Sequence, residues 1–304
     1  MTKSLDAAIQ KRVLEIQTTP SIPAVLMPLL KLLNGPPELA DMDEIVRLVS
    51  YDQTIAVQCL RVASSPLFGL SRPPSSIWSA VTSLGLRRVQ TILLTCCLGQ
   101  AFPVQNWVMD ANSFWKHSLG CAMVCRKFSE KLPSTDKERA YTAGLLHDVG
   151  VMVNCIAFPR EFEMALRCAA AEGISLEKAE LATMGFTHQE TGYALAEKWN
   201  LGDDIAEVIA HHHALDQAPN PSPLVALVHL SDLLCRVRGM GYGYDEQRKV
   251  DLVNEPGWQI LLRSSGDLSG MDLFRFTLEL DDAVTEVTEL VAAVFGSASR
   301  AAGT

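Results

Sequence analysis

The stretch Ala143-Gly-Leu-Leu-His-Asp-Val-Gly150 places an adjacent histidine and aspartate, His147 and Asp148, inside an otherwise apolar run with helical spacing. Two polar side chains in such a run need hydrogen bonds or a cation, because an unpaired carboxylate or imidazole is costly to bury. Suitable partners recur at intervals that fit separate helices: His117 before the doublet, then His188, the triplet His211-His212-His213, and Asp232 after it. All 7 histidines fall between positions 117 and 229. Imidazole nitrogens and carboxylate oxygens together suit borderline first-row divalent cations, and a carboxylate can bridge two of them. The pattern implies one or two metals in a helical pocket.

Local signals place these residues. Thr187 followed by Glu190 has the form of a capping box, so His188 falls in the first turn of a helix, where it can face inward or lie at the surface. Ser222-Pro223 opens another helix, on which Val225, Val228, Asp232 and Cys235 share a stripe. A carboxylate on an apolar stripe is paired, hydrogen-bonded or metal-bound. His229, three residues before Asp232, reads as an orienting group or a satisfied core histidine more readily than as a ligand. In the helix that begins at Asp203-Asp204, the inward positions Ile205, Val208 and Ile209 bring His212 toward the same interior, and His213 comes as the helix ends. The triplet also has a plain reading as cationic histidines at a helix C-terminus. His117 follows Phe114-Trp115-Lys116, where a lone histidine is ordinarily packing. The acidic chain, with few histidines, makes the whole set more telling than any one member.

The rest of the chain reads as helices at 4–17, 25–33, from Asp41 or Asp43 to near Tyr51, 53–63, 76–84, 89–98, 112–131, 137–156, 160–172, 175–183, 188–199, 203–213, 222–238, 257–263 and 277–295. Breakers separate them, among them Thr18–Pro23, Asn34–Pro37, Pro133–Asp136, Gly173 and Asn200–Gly202. Strict apolar–polar alternation of the strand type is scarce, so the expected fold is all-α. The 101–106 stretch is the expected boundary, giving an N-terminal helical part at 1–105, a second helical domain at 106–240 and a helical extension at 241–304. With 304 residues, 48% hydrophobic, the chain has material for such cores.

A formal net charge of −9 argues against a nucleic-acid backbone as the main partner. The 8 cysteines show no C-x-x-C pairing and read as small core residues in a reducing cytoplasm. No signal-peptide pattern opens the sequence, and no stretch reaches the ~18 uninterrupted apolar residues of a membrane span. The expectation is a cytoplasmic protein with no membrane partner.

The ordered set His117, His147-Asp148, His188, a His-His pair within 211–213, and Asp232 resembles the ligand pattern of the HD superfamily of metal-dependent phosphohydrolases. Upstream, Ile22-Pro-Ala-Val25, the segment from Ser50 to Gly69 with Tyr51-Asp-Gln-Thr54 and Ala63-Ser-Ser-Pro-Leu-Phe-Gly69, and Ala80-Val-Thr-Ser-Leu-Gly85 resemble the N-terminal part of HDOD domains, the HD-related output modules of bacterial signalling. The resemblance spans roughly 18–240. It implies a multi-helix HDOD fold, an N-terminal bundle packed on an HD-like helical domain, and a signalling role through a protein partner. Many HDOD members lack the metal ligands, whereas this chain has a suitable residue at each position. By similarity to dinuclear members, Asp148 would bridge two metals of the iron, manganese or zinc kind. His117, His147 and Asp232 would surround one, and His188, His212 and His213 the other.

Two departures weigh against the cyclic-dinucleotide phosphodiesterases of the related HD-GYP group. Val151 stands where their pattern has a lysine, and Ala214-Leu-Asp-Gln-Ala-Pro-Asn-Pro221 replaces their Gly-Tyr-Pro segment. Gly192-Tyr193 belongs to an earlier helix. The expected function is therefore a signalling module with a retained metal site, its input arriving by association because no receiver, kinase or cyclase pattern adjoins it. The alternative is a phosphohydrolase acting on a nucleotide or phosphodiester; a redox-sensing di-iron site is a third reading.

Overall fold

The structure, a computed structural model, describes residues 6–15, 23–35, 41–65, 68–102, 107–133, 135–215, 218, 222–242, 250–265, 268, 270–278 and 280–295. Among these every regular element is helical, and none of the helices is long and apolar enough to cross a membrane. The all-α expectation holds. Several sequence-read features lie outside the described residues: most of the Thr18–Pro23 break, Pro36-Pro37, positions 103–106, most of 214–221 and the central part of the 239–256 loop.

The chain divides into two units, one of residues 1–20 and 104–284, the other of residues 21–103 and 285–304. The second is built from α2 (Leu26–Asn34), α3 (Met42–Ser50), α4 (Gln53–Ala63), α5 (Ile77–Leu84) and α6 (Leu86–Ala101). Its starts are set by short polar side chains: Asp41 accepts from the Asp43 amide, Asp52 from the Thr54 and Ile55 amides, and Ser76 forms a capping box with Ser79. Gly85, at φ 87°, is the lone residue between α5 and α6, a conformation that favours glycine. Helix α6 is central, packing against α2, α4 and α5. The interior is formed by such residues as Leu26, Leu29, Ile45, Ile55, Val62 and Leu93.

The larger unit contains α1 (Ala7–Glu15), α7 (Ala111–Ser129), α8 (Lys137–Leu146), α9 (Val149–Ala157), α10 (Pro159–Glu172), α11 (Leu176–Thr183), α12 (His188–Trp199), α13 (Asp203–His211), α14 (Pro223–Val237), α15 (Pro256–Ser264) and α16 (Leu273–Leu278). Helix α17 (Leu280–Phe295) crosses the division. Two groupings differ from those read in the sequence. Helix α1, read with residues 1–105, belongs to the larger unit, because it packs on α9 and α12 and its Arg12 meets the Ala157 carbonyl, Glu161 and the Phe158 ring. Residues 241–304 do not stand apart: α15 packs along α14, and residues from 285 onward group with the smaller unit. Long-range packing of this kind leaves no local trace in composition.

The helix read as continuous over 137–156 is two helices, α8 and α9, with His147 and Asp148 at the joint. Asp148 has φ −102° and ψ 21°, outside the helical region, and its carboxylate caps neither helix. Glycines flank this joint where helices touch. A Cβ on Gly144 would lie 2.8 Å from the Cys121 carbonyl oxygen, and one on Gly150 only 1.8 Å from that of His188. Gly192 faces Gly150 across the second contact, so α9 and α12 meet backbone to backbone. The motif thus lets α8 close on α7 and α9 close on α12, converging their polar residues.

Candidate metal centre

Six helices deliver the cluster. Helix α7 carries His117, the α8–α9 joint His147 and Asp148, the first turn of α12 His188, the end of α13 His212 and His213, and α14 Asp232. The Thr187–Glu190 capping box forms, fixing the entry to α12 and the place of His188. His117, His147, Asp148 and His212 are fully buried; His188 and Asp232 are 1% exposed and His213 is partly open to solvent.

Asp148 is at the middle. Its Oδ2 lies 2.8 Å from His147 Nε2 and 3.4 Å from His117 Nε2. Its Oδ1 lies 3.4 Å from His188 Nε2 and 3.3 Å from His212 Nε2. Each carboxylate oxygen therefore serves a different pair of imidazoles. Asp232 Oδ1 is 3.0 Å from His117 Nε2, and its Oδ2 is 3.5 Å from His213 Nδ1.

The far side of each buried imidazole is tied to an acceptor. His117 Nδ1 is 2.7 Å from the Met240 carbonyl oxygen, His147 Nδ1 is 2.7 Å from that of Gly144, and His212 Nδ1 is 3.1 Å from those of Val208 and Ile209. His188 Nδ1 is 2.6 Å from Glu180 Oε2. A ring that donates through Nδ1 presents its Nε2 lone pair to whatever lies opposite when neutral. Here that is Asp148, an acceptor, and for His117 also His147 Nε2 at 3.2 Å. Acceptors facing acceptors require protons or a cation between them. Both Asp148 oxygens, His188 Nε2 and His212 Nε2 are buried without a hydrogen-bond partner, because their angles, though not their separations, fall outside hydrogen-bond geometry. The donor set therefore fits divalent metal in chemistry and in its unsatisfied atoms.

Electrostatics without metal run the same way. Burial alone would lower His117, yet the facing Asp148 and Asp232 hold it up at about 10. Burial would likewise lower His188, but the Glu180 carboxylate outweighs it and raises the ring to about 9. His212 is pushed down to about 4 by burial, and His213 well below its usual value by burial and the neighbouring His212. Burial would raise Asp148 and Asp232, but His147 and the other imidazoles around the first, and Arg236 and His117 beside the second, hold both well below the carboxylate range. Metal uptake at such a site displaces protons.

All seven residues singled out in the sequence thus come together, in two groups each able to hold an ion: His117, Cys121, His147 and Asp232, and Asp148, His188, His212 and His213. His211 stays outside both. His229 orients: its Nδ1 is 2.7 Å from the His212 carbonyl oxygen and its Nε2 3.4 Å from Glu255. Sequence reading missed three contributors. Cys121 lies one turn after His117, Arg236 one turn after Asp232, and Glu180 one turn after the buried Leu176. Glu180 accepts from the His188 backbone and from Asn154, each at 2.9 Å, and so anchors the start of α12. A carboxylate on the Leu176–Ala179 stripe was the available signal.

A helical unit with a buried histidine–aspartate cluster at a broken helix is the class of protein that these observations define. The chain belongs to the HDOD domain family, whose model matches residues 19–215. A solved HDOD domain protein with unknown function from Geobacter sulfurreducens is 29% identical, with a TM-score of 0.80 over 95% of this chain and 98% of that one. A structure from Shewanella amazonensis SB2B, described as a candidate phosphohydrolase, shares the fold at 20% identity, with a TM-score of 0.71 over 93% of this chain and 98% of its own. A curated relative, an uncharacterized protein of Treponema pallidum (strain Nichols), is 26% identical over 241 residues, 77% of this chain. The match spans 45% of that relative's length.

Proposed function

We propose that this protein is an HDOD signalling module that acts through a protein partner, its metal site pinning the helices that meet at Asp148. The observation that carries the reading is the unsatisfied Asp148 carboxylate, reached from α7, α8, α12 and α13 by imidazoles whose other nitrogens are already tethered. Cations there would join four helices through one residue. The phosphate-facing machinery of a hydrolase is thin by comparison. Position 151 is a buried valine, and Arg236 spends its guanidinium on Asp232, 2.7 Å from Oδ1. In this reading the site supports the surface a partner recognises. The acidic balance of the chain disfavours nucleic acid as that partner.

A second reading, hydrolysis of a nucleotide or phosphodiester, draws support from His213, whose side chain is 17% exposed at the rim of an otherwise closed cluster. Two cations bound at these donors would supply Lewis-acid polarisation of a phosphate oxygen and of a water. His213 would then hold the open edge, Asp232 would orient it, and His188 and His212 would exclude further water.

Both readings are tested on protein purified without a histidine tag. Elemental analysis is expected to find up to about two equivalents of iron, manganese or zinc, as in two-metal sites, and Asp148→Ala is expected to lose them and to unfold at lower temperature. A panel of nucleotides and phosphodiesters is expected to go unhydrolysed. Metal-dependent turnover that vanishes in Asp148→Ala selects the hydrolase; absence of metal after reconstitution overturns the metal site in both.

A further inference from the structure

The two halves of the cluster are not alike. The group around Asp148 Oδ1 offers nitrogen and oxygen only, whereas the group of His117, His147 and Asp232 includes a sulfur. Cys121 sits on α7 one turn beyond His117, so both side chains leave the same face of the helix. Its Sγ lies 3.6 Å from His117 Nε2, and the ligand atoms of all four residues lie within 4.8 Å of one another.

The three spacings from His117 Nε2 match edges of a tetrahedral coordination sphere. Donors placed tetrahedrally about 2.0–2.1 Å (nitrogen, oxygen) or about 2.3 Å (sulfur) from a common centre stand roughly 3.3 Å apart for nitrogen and oxygen pairs and roughly 3.6 Å apart for a sulfur–nitrogen pair. The separations here are 3.2 Å for His117 Nε2 to His147 Nε2, 3.0 Å for His117 Nε2 to Asp232 Oδ1, and 3.6 Å for Cys121 Sγ to His117 Nε2. The longest of these edges is the one to sulfur, as its longer metal bond demands. Among the described residues no other cysteine joins this group: Cys235, on α14, is hydrogen-bonded to Cys121 itself, Cys125, a further turn along α7, is engaged by Ser231, and Cys59, Cys96 and Cys97 belong to the smaller unit.

We propose that Cys121 is a thiolate ligand of the first metal position, making the pair of sites chemically unequal. The inference rests on the metal-binding reading above. On binding, the Sγ–H bond is replaced by a metal–sulfur bond and one proton passes to the buffer, with no change in oxidation state. With His117, Cys121, His147 and Asp232 all buried, and Asp148 Oδ2 approaching the same imidazoles, this position is closed to substrate. A mixed sulfur, nitrogen and oxygen set of this kind favours zinc, cobalt or iron over magnesium or manganese. The second position, with the partly exposed His213, is where an exogenous oxygen ligand has access.

The test is cobalt(II) substitution of the full-length protein, followed by absorption spectroscopy and elemental analysis. Wild type is expected to show a thiolate-to-cobalt charge-transfer band in the near ultraviolet. Cys121→Ser is expected to lose that band and to bind the first ion at least roughly tenfold more weakly, the smallest loss usual for disturbing even an outer-shell partner. Cys125→Ser and Cys235→Ser are expected to retain it. X-ray absorption on the zinc-loaded wild type, which needs no variant, is expected to include one sulfur scatterer at about 2.3 Å. Cobalt or zinc bound without any sulfur signature overturns the role of Cys121 and leaves the metal site standing. Failure to bind metal overturns both. A band that survives in Cys121→Ser assigns the sulfur elsewhere and also overturns the proposal.

Discussion

Residues 21–103 and residues 104–284 are built from helices of similar length, yet their interiors differ in kind. Among the described residues of the smaller unit the buried polar side chains are Gln90, Thr91 and Thr95, none of them charged. The larger unit buries five histidines, Asp148, Glu180, Asp232 and Glu255. Apolar burial is non-directional and tolerates small adjustments of helix position. A cluster of acceptors around one carboxylate does not: its stability depends on what fills it and on helix spacings held to a fraction of an ångström. The described interior of the smaller unit is thus held by packing, whereas that of the larger one includes a cluster able to hold an ion, and its stability is expected to depend on whether one is bound.

The strongest way to break that contrast is Gly150→Ala. The added methyl would collide with the His188 carbonyl oxygen, forcing α9 from α12 at a cost of about 3 kcal/mol. Denaturant unfolding and metal analysis should show stability and metal falling together. Leu29→Ala, in the fully buried apolar interior of the smaller unit, should also cost about 3 kcal/mol. Metal stoichiometry should be unchanged in that variant. Native-state hydrogen exchange sharpens the comparison further: chelation should speed exchange in α8, α9 and α12 and leave α4 and α6 as they were. If α6 loosened equally, the independence of the two interiors would be wrong.

Glu180→Gln keeps the shape of the side chain but removes the charge that Asn154, the His188 backbone N–H and His188 Nδ1 share. A roughly 10- to 100-fold loss of affinity at the second metal position is expected by titration, with the fold retained. The smallest effect concerns a rim ion pair. Arg139 Nε meets Asp204 Oδ2 at 2.8 Å, linking α8 to the first turn of α13, and although partial burial alone would raise the Asp204 carboxyl, Arg139 and nearby backbone amides hold it below its usual value. A depressed folded value stabilises above the unfolded carboxylate range and is lost as pH falls through the folded value. The stability gap between wild type and Asp204→Asn should therefore be present at neutral pH and close in acid; a gap constant with pH would rule out the pair.

Much of this was legible in local pattern. Helix starts at Asp41, Asp52, Ser76, Thr187 and Ser222 follow from short polar side chains that satisfy free amides, and the buried faces follow from helical periodicity. His147 and Asp148 stood out because charge in an apolar run demands a partner. The break between α8 and α9 was not legible, since it arises where Gly144 and Gly150 let two other helices approach. For Glu180 the apolar stripe signals burial but not the partner, His188, which is eight residues away on another helix.

The sequence by itself determined that this chain is helical and which side chains have to be reconciled inside it, because caps, periodicity and the solvation cost of buried charge all act over a turn or two. Only the tertiary structure decided that α1 belongs with α9 and α12, that Asp148 divides its two oxygens between two pairs of imidazoles, and that a cysteine stands at one of them. Those outcomes depend on distances between residues far apart in the chain, which interhelical packing sets and local pattern does not encode.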